Sequence, residues 1–210
     1  MNEPTRNFDQ EAATWDDNPV RVKLAGEIAE VMKQQIAFTP DMDVLDIGCG
    51  TGLVTLALAP LVRSITGADT SSGMLDVLTA KANRQNLTHV RTMRIQPEGG
   101  LTGRYDVIVS SMTFHHIQHI DRQLSECFQL LKAPGYLCIA DLDTEQGEFH
   151  PDHTGVFHHG FDRDTLKQQF LQAGFTSVTD CPATEVTKPS RSGDLKTFTI
   201  FLMTGTKPRA

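Results

Sequence analysis

The sequence predicts an α/β protein with a doubly wound, mostly parallel seven-stranded sheet that ends in an antiparallel hairpin. Three observations carry that prediction. Short β-branched runs alternate with helical stretches five times, a pattern that gives a parallel sheet covered by helices on both faces. The last two strand-like runs have no helix between them, so they can pair antiparallel at one edge. Three glycines at every second position, in "VLDIGCGTG" at 44–52, follow the first strand.

The elements follow in order. Residues 19–37 place Val20, Leu24, Ile28, Val31 and Ile36 near helical spacing, and Pro40-Asp41 ends that helix. "MDVLDIG" is a short strand, "LVTLALAPLV" a buried helix and "SITGADT" a second strand. Ser71 or Ser72 caps the next helix, which turns Met74, Leu75, Val77 and Leu78 inward. "VRTMRI" and "YDVIVSS" are strands, the second strongly β-branched. "RQLSECFQLLK" is helical, with Pro134-Gly135 as its expected stop, and "YLCIADLD" is a buried strand. "FDRDTLKQQFLQAGF" is a helix with Asp162 as N-cap and Gly174 at its end. "FTSVTDCPATEV" and "LKTFTIFLMTGTK" close the chain as strands around the turn-prone "KPSRSGD". Without repeats or a linker, residues 1–210 read as one domain, with 1–38 as an N-terminal helical cover.

Composition narrows the function. The 210 residues are 39% hydrophobic and 21% charged, with a net charge of −7. An acidic chain without Lys/Arg clusters lacks the positive field that draws nucleic acid. No apolar run approaches the roughly 20 residues of a membrane span, and the first twenty residues do not resemble a secretory signal. Cys49, Cys127, Cys138 and Cys181 are widely spaced and form no CxxC pair, which suits reduced thiols and a cytoplasmic protein.

Gly48, Gly50 and Gly52 fall where the first strand turns into the next helix, the place where open parallel sheets bind ligands. A plain βα turn needs one glycine; three suggest that ligand atoms approach the backbone. The spacing is GxGxG, with Leu53 where a dinucleotide GxGxxG pattern requires its last glycine. Asp46 before the loop suits a ligand end carrying a cationic amine better than a pyrophosphate.

These nine residues resemble motif I of the class I S-adenosylmethionine-dependent methyltransferases, in the small-molecule branch that includes the ubiquinone/menaquinone methylases. "ITGADTSSGML", "YDVIVSSMTFHHI" and "LLKAPGYLCIADLD" resemble the motifs of strands two, four and five, and "AATWDDNPVR" resembles the lead-in of many members. The likeness spans residues 8 to 204 in order and implies a Rossmann-like methyltransferase fold. It also implies S-adenosylmethionine as cofactor, with S-adenosylhomocysteine as product. On this likeness Gly48 and Gly50 leave room for the methionine portion, with Asp46 and Cys49 beside it. Asp69 accepts the ribose hydroxyls, Thr70 and Met74 flank the adenine, and Ser110 contacts the amino group through its carbonyl. The family's adenine-binding acid after strand three is replaced by "MRIQPEGG", where Gln96 is the nearest substitute and Glu98 the alternative. Trp15, in an otherwise polar segment, is expected to close over the cofactor.

Seven of the eight histidines fall between His115 and His159. His115 or His116, after strand four, is the candidate general base. A metal site is a weaker reading here: His115 and His119 share a helical spacing, and Asp141 or Asp143 offers oxygen, but the pattern matches no familiar ligand set. No metal is assigned. Residues of about 144–161 form the expected substrate-facing loop. Phe149, Phe157 and Phe161 either line an apolar pocket or pin the loop to the core, and His150, His158 and His159 supply polar contacts. The expected partner is a small-molecule methyl acceptor, aromatic or lipid-like, methylated at O, N, S or C. A nicotinamide-dependent oxidoreductase and a non-catalytic cofactor-binding protein are the alternatives, and the oligomeric state stays open.

Overall fold

The structure, a computed structural model, describes residues 7–96 and 100–209. Its strands are β1 (Asp43–Ile47), β2 (Ser64–Asp69), β3 (Val90–Arg94), β4 (Tyr105–Ser111), β5 (Leu131–Leu142), β6 (Thr176–Pro189) and β7 (Leu195–Lys207). They form one sheet in the order β3-β2-β1-β4-β5-β7-β6. The first five pair in parallel, whereas β7 runs antiparallel to both β5 and β6. The single reversed strand is therefore β7, inserted between β5 and β6.

The strand order reverses between β1 and β4, and this opens a crevice at their carboxyl ends. β1 and β4 are buried almost throughout, as a central strand covered on both faces must be. One apolar layer gathers Phe114, Leu124, Phe170, Phe175 and Phe201. A second, on the other face, gathers Ile28, Met32, Leu58, Ile65 and Leu202.

The helices are α1 (Phe8–Glu11), α2 (Pro19–Gln35), α3 (Leu53–Leu58), α4 (Ser72–Arg84), α5 (Ile120–Leu130) and α6 (Arg163–Gln172), with 3₁₀ turns at Ala12–Asp17, Ala59–Leu61 and Phe114–His116. Asn18 caps α2 by accepting from the Val20 N–H at 2.9 Å, and Pro19 occupies the first turn, where no N–H is missed. Ser71, not Ser72, caps α4, and Asp162 caps α6. Two expectations need correction. The helix α5 ends at Leu130, and Pro134-Gly135 lies within β5, where the register against β4 shifts between Tyr105 and Val107. Along α2, Ile28 and Met32 are buried but Val20 is 43% exposed at the mouth of the crevice. No helix among the described residues is long and apolar enough to cross a membrane.

Candidate active site

A cleft of about 920 Å³ opens at the reversal point and is bordered by the loops after β1, β2, β4 and β5 and by the N-terminal segment. Asp46, Gly48, Cys49, Gly50, Asp69, Thr70, Met74, Trp15, His115 and His116 all border it. Two expected cofactor residues do not. Ser110 is fully buried, and its hydroxyl donates to the Ile47 carbonyl at 2.8 Å; its neighbour Ser111 reaches the cleft instead. Gln96 is exposed outside the cleft, where Ile95 takes the lining position. Glu98 lies outside the described residues.

The three glycines serve three purposes. All have positive φ, +69° at Gly48, +53° at Gly50 and +81° at Gly52, which side chains rarely adopt. A Cβ on Gly48 would sit 2.1 Å from the Thr113 methyl, so this glycine, which also borders the cleft, makes room for the loop after β4. A Cβ on Gly52 would sit 2.2 Å from Leu78 Cδ1, so this one lets α4 pack close. At Gly50 the nearest atom is Met74 Sδ at 4.0 Å, and the space in front is the cleft. Of the three, Gly50 is the one at which an added Cβ would meet no protein atom closer than 4.0 Å.

The two carboxylates of this loop differ. Asp69, at the end of β2, accepts from the Gly50 N–H and from the Ser71 N–H, both at 2.9 Å. Burial pushes its carboxyl up from the ordinary range, and those backbone donors oppose the shift. Its oxygens have further lone pairs that face the cleft and can accept a pair of hydroxyls. Asp46 is 1% exposed and accepts from the Thr55 hydroxyl at 2.6 Å. Burial, with the Asp69 charge as a smaller cause, raises its carboxyl to about 7. A cationic group docked against it would be needed to hold it ionised at lower pH.

The N-terminal segment borders the cleft and is held there by tethers that were not legible in advance. Asp9 accepts from the Ser71 hydroxyl at 2.6 Å and the Gly73 N–H at 2.7 Å, at the start of α4. Asp16 accepts from the Thr51 hydroxyl at 2.6 Å and from Lys81 Nζ at 2.7 Å. Between these anchors Trp15 borders the cleft with the Arg21 guanidinium 3.8 Å from its ring centre. An acid–hydroxyl pair separated by 35 or 62 residues leaves no local signature.

The loop after β4 brings in the histidines. His115 is buried, its Nδ1 2.7 Å from Asp141 Oδ1 on β5, and Asp141 Oδ2 accepts from its backbone N–H. His116 is half-buried, with Nδ1 2.5 Å from the Gly155 carbonyl. His150 joins them, its ring centre 5.0 Å from that of His115. His119 is exposed on the N-terminal side of α5 and shares no face with His115. Asp141 thus stands behind His115, while Asp143 is spent on Arg163 and Thr199.

The loop 144–161 divides. Phe149, His150, Pro151 and Asp152 border the cleft. Phe161 packs in the core, Phe157 is 43% exposed, and His158 bonds the Ile117 carbonyl. Of the three phenylalanines only Phe149 lines the pocket, edge-on to Phe198 and under the Lys188 ammonium.

A seven-stranded sheet in this order, with a glycine loop at the reversal point, defines the Rossmann-like methyltransferase fold. Solved structures agree: the chain covers 87% of itself and 52% of phosphoethanolamine N-methyltransferase 2 from Haemonchus contortus, solved with S-adenosyl-L-methionine, at a TM-score of 0.69 and 14% identity. Residues 21–180 match the family described as "Methyltransferase domain", and the chain belongs to that family. Among curated relatives, an uncharacterized methyltransferase of Schizosaccharomyces pombe is 35% identical over 154 residues, 65% of this chain and 54% of that one. The ubiquinone biosynthesis O-methyltransferase of Coxiella burnetii is 31% identical over 127 residues, 60% of this chain and 51% of that one. The chain spans about half the length of those two relatives. Family membership sets aside the nicotinamide-dependent alternative.

Proposed function

We propose that this protein transfers a methyl group from S-adenosylmethionine to a small-molecule acceptor, by in-line displacement. One observation carries the reading: a single cleft is bordered both by Gly50 and Asp69 and by a histidine cluster with Phe149. The first set suits the cofactor. Asp69 accepts the ribose hydroxyls, Met74 lies against the adenine, and the amine approaches Asp46 past the bare backbone of Gly50. Ile95 takes the adenine edge that Gln96 was expected to bind, so that contact is apolar. The second set suits the acceptor. Phe149 favours an aromatic or lipid-like body, and His115, backed by Asp141, is the group that activates the nucleophilic atom.

Such a displacement depends first on alignment, which supplies up to about 7–11 kcal/mol when both partners are held in line. The tethered N-terminal segment assists by excluding water above the cofactor. The four cysteines, read as reduced thiols, favour a cytoplasmic location. The test is formation of S-adenosylhomocysteine from S-adenosylmethionine in the presence of a panel of phenols, catechols and aryl thiols. The reading expects product and methylated acceptor in equal amounts with at least one class. Tight cofactor binding with no transfer to any class would favour a non-catalytic binding protein instead.

A further inference from the structure

We propose that His115, His116 and His150 form a divalent-metal site, suited to zinc(II), that binds the acceptor through an O–H or S–H group and deprotonates it. The metal site itself rests on the side chains alone; its role in catalysis rests on the methyl-transfer reading above.

The three imidazoles meet although the chain separates His150 from the other two by more than thirty residues. Their ring centres lie 4.2 Å (His115–His116), 5.0 Å (His115–His150) and 5.5 Å (His116–His150) apart. One nitrogen from each falls within 4.8 Å of the others, with His115 and His150 buried. Their orientation is set from behind. His115 Nδ1 donates to Asp141, a carboxylate that also accepts from the backbone N–H groups of His115 and Leu142, so the ring hydrogen belongs to the imidazole. His116 Nδ1 faces the Gly155 carbonyl, which can only accept. With Nδ1 as the donor, Nε2 is the atom of each ring left to ligate a metal. A carboxylate or a carbonyl behind each imidazole is the outer arrangement that metal-ligating histidines use to fix tautomer and raise basicity.

Three imidazole nitrogens gathered within 4.8 Å are the kind and number of donor that a divalent cation takes from a protein. Three nitrogen donors with no acid in the set favour zinc or another imidazole-preferring metal over magnesium or calcium. Three protein ligands leave a fourth tetrahedral position open, as catalytic zinc requires. Bonds of about 2.0–2.1 Å place tetrahedral ligand nitrogens about 3.4 Å apart. The 4.8 Å span must therefore contract, and His150, on the long loop after β5, is the ligand placed to move.

The chemistry balances. The acceptor X–H enters the fourth position and gives its proton to solvent. The metal-bound X⁻ donates an electron pair to the methyl carbon as the carbon–sulfur bond breaks and its pair returns to sulfur. One sulfonium and one X–H become one thioether, one X–CH₃ and one H⁺. When the site is loaded, His115 is a ligand and the metal takes over acceptor activation.

The experiment is titration of the chelator-stripped full chain with Zn²⁺ and, separately, Co²⁺, followed by calorimetry and visible absorption. The proposal expects one equivalent bound, with the visible bands of tetrahedral Co²⁺. His150→Ala and His116→Ala should each weaken binding at least tenfold, and Asp141→Asn by about 10–100-fold. His153 and His159, whose rings lie 4.6 Å apart on the same loop, form the competing pair, so the double variant His153→Ala/His159→Ala should bind as the unchanged chain does. An unchanged far-ultraviolet circular dichroism spectrum and melting temperature certify that each variant is folded. Absence of stoichiometric metal binding overturns the proposal, as does binding lost in the His153/His159 variant and kept in His150→Ala. Metal binding without any S-adenosylhomocysteine binding leaves the metal site standing and overturns its role in methyl transfer.

Discussion

Where the part of the cleft assigned to the cofactor is made of backbone, the part assigned to the acceptor is made of side chains. Around Gly50 and Asp69 the working groups are N–H donors, positive-φ turns and two carboxylates, all within the 26 residues from Asp46 to Ser71. Around His115 they are imidazoles, a buried carboxylate and a phenylalanine, drawn from the loop after β4, from β5 and from the loop beyond it. A site of backbone is specified by where glycines permit the chain to turn. A site of side chains depends on distant segments packing in register, so it can be remade without disturbing the fold.

The comparison can be broken most sharply at His115. His115→Ala should lower turnover by about 10²–10⁴-fold, the usual worth of an activating group, while S-adenosylhomocysteine affinity stays within twofold. Equal loss of both in steady-state and binding measurements would mean that the two regions are not separable.

The next effect is pH-dependent. Asp46 is neutral below about 7 and ionised above, because burial raises its carboxyl. The ionised form is the one that attracts the cofactor's ammonium. S-adenosylhomocysteine affinity should therefore rise by roughly eightfold between pH 6 and pH 7.5, and Asp46→Asn should flatten the profile. Without ligand the sign is opposite: a raised carboxyl favours the fold while protonated, so stability falls as pH climbs from the ordinary carboxylate range to about 7. Thermal melts across that window check the second half.

The glycines sharpen the comparison further. Gly50→Ala should weaken S-adenosylhomocysteine binding several-fold at a stability cost of only about 1–2 kcal/mol, the strain of its φ. Gly52→Ala should act the other way. Its Cβ meets Leu78, so it should lower the melting temperature by several degrees, for about 1–3 kcal/mol, and affect binding less. The smallest effect belongs outside the cleft: Asn18→Ala removes the cap of α2 and should cost ~1 kcal/mol in denaturant unfolding with turnover nearly unchanged.

The same contrast explains what could be read from the chain. Strand and helix order followed from hydrophobic period and caps, because each element carries its own signal. The glycine loop and Asp69 could be placed beside one cleft because each lies in a short contiguous stretch at the end of a strand. Gly48 and Gly52 were legible as glycines but not in purpose, since Thr113 and Leu78 come from other elements. Ser110 was expected to act through its carbonyl; its hydroxyl turns to the Ile47 carbonyl, and the side chain that reaches the cleft is that of the next residue, Ser111, because successive strand residues face opposite sides. Both Asp141 and His150 were visible as residues, yet their convergence on His115 depends on β5 pairing with β4 and on the path of a long loop. The tethers of Asp9 and Asp16 to the α4 and glycine-loop regions are of the same long-range kind.

The central claim is that the backbone-built region holds S-adenosylmethionine. Calorimetric titration of S-adenosylhomocysteine into the unchanged chain and into Asp69→Ala tests it most directly. The account predicts micromolar binding that Asp69→Ala weakens by tenfold or more, since Asp69 is held by the Gly50 and Ser71 N–H groups to receive the ribose. Equal affinity in the two proteins, or no binding to the unchanged chain, would contradict it.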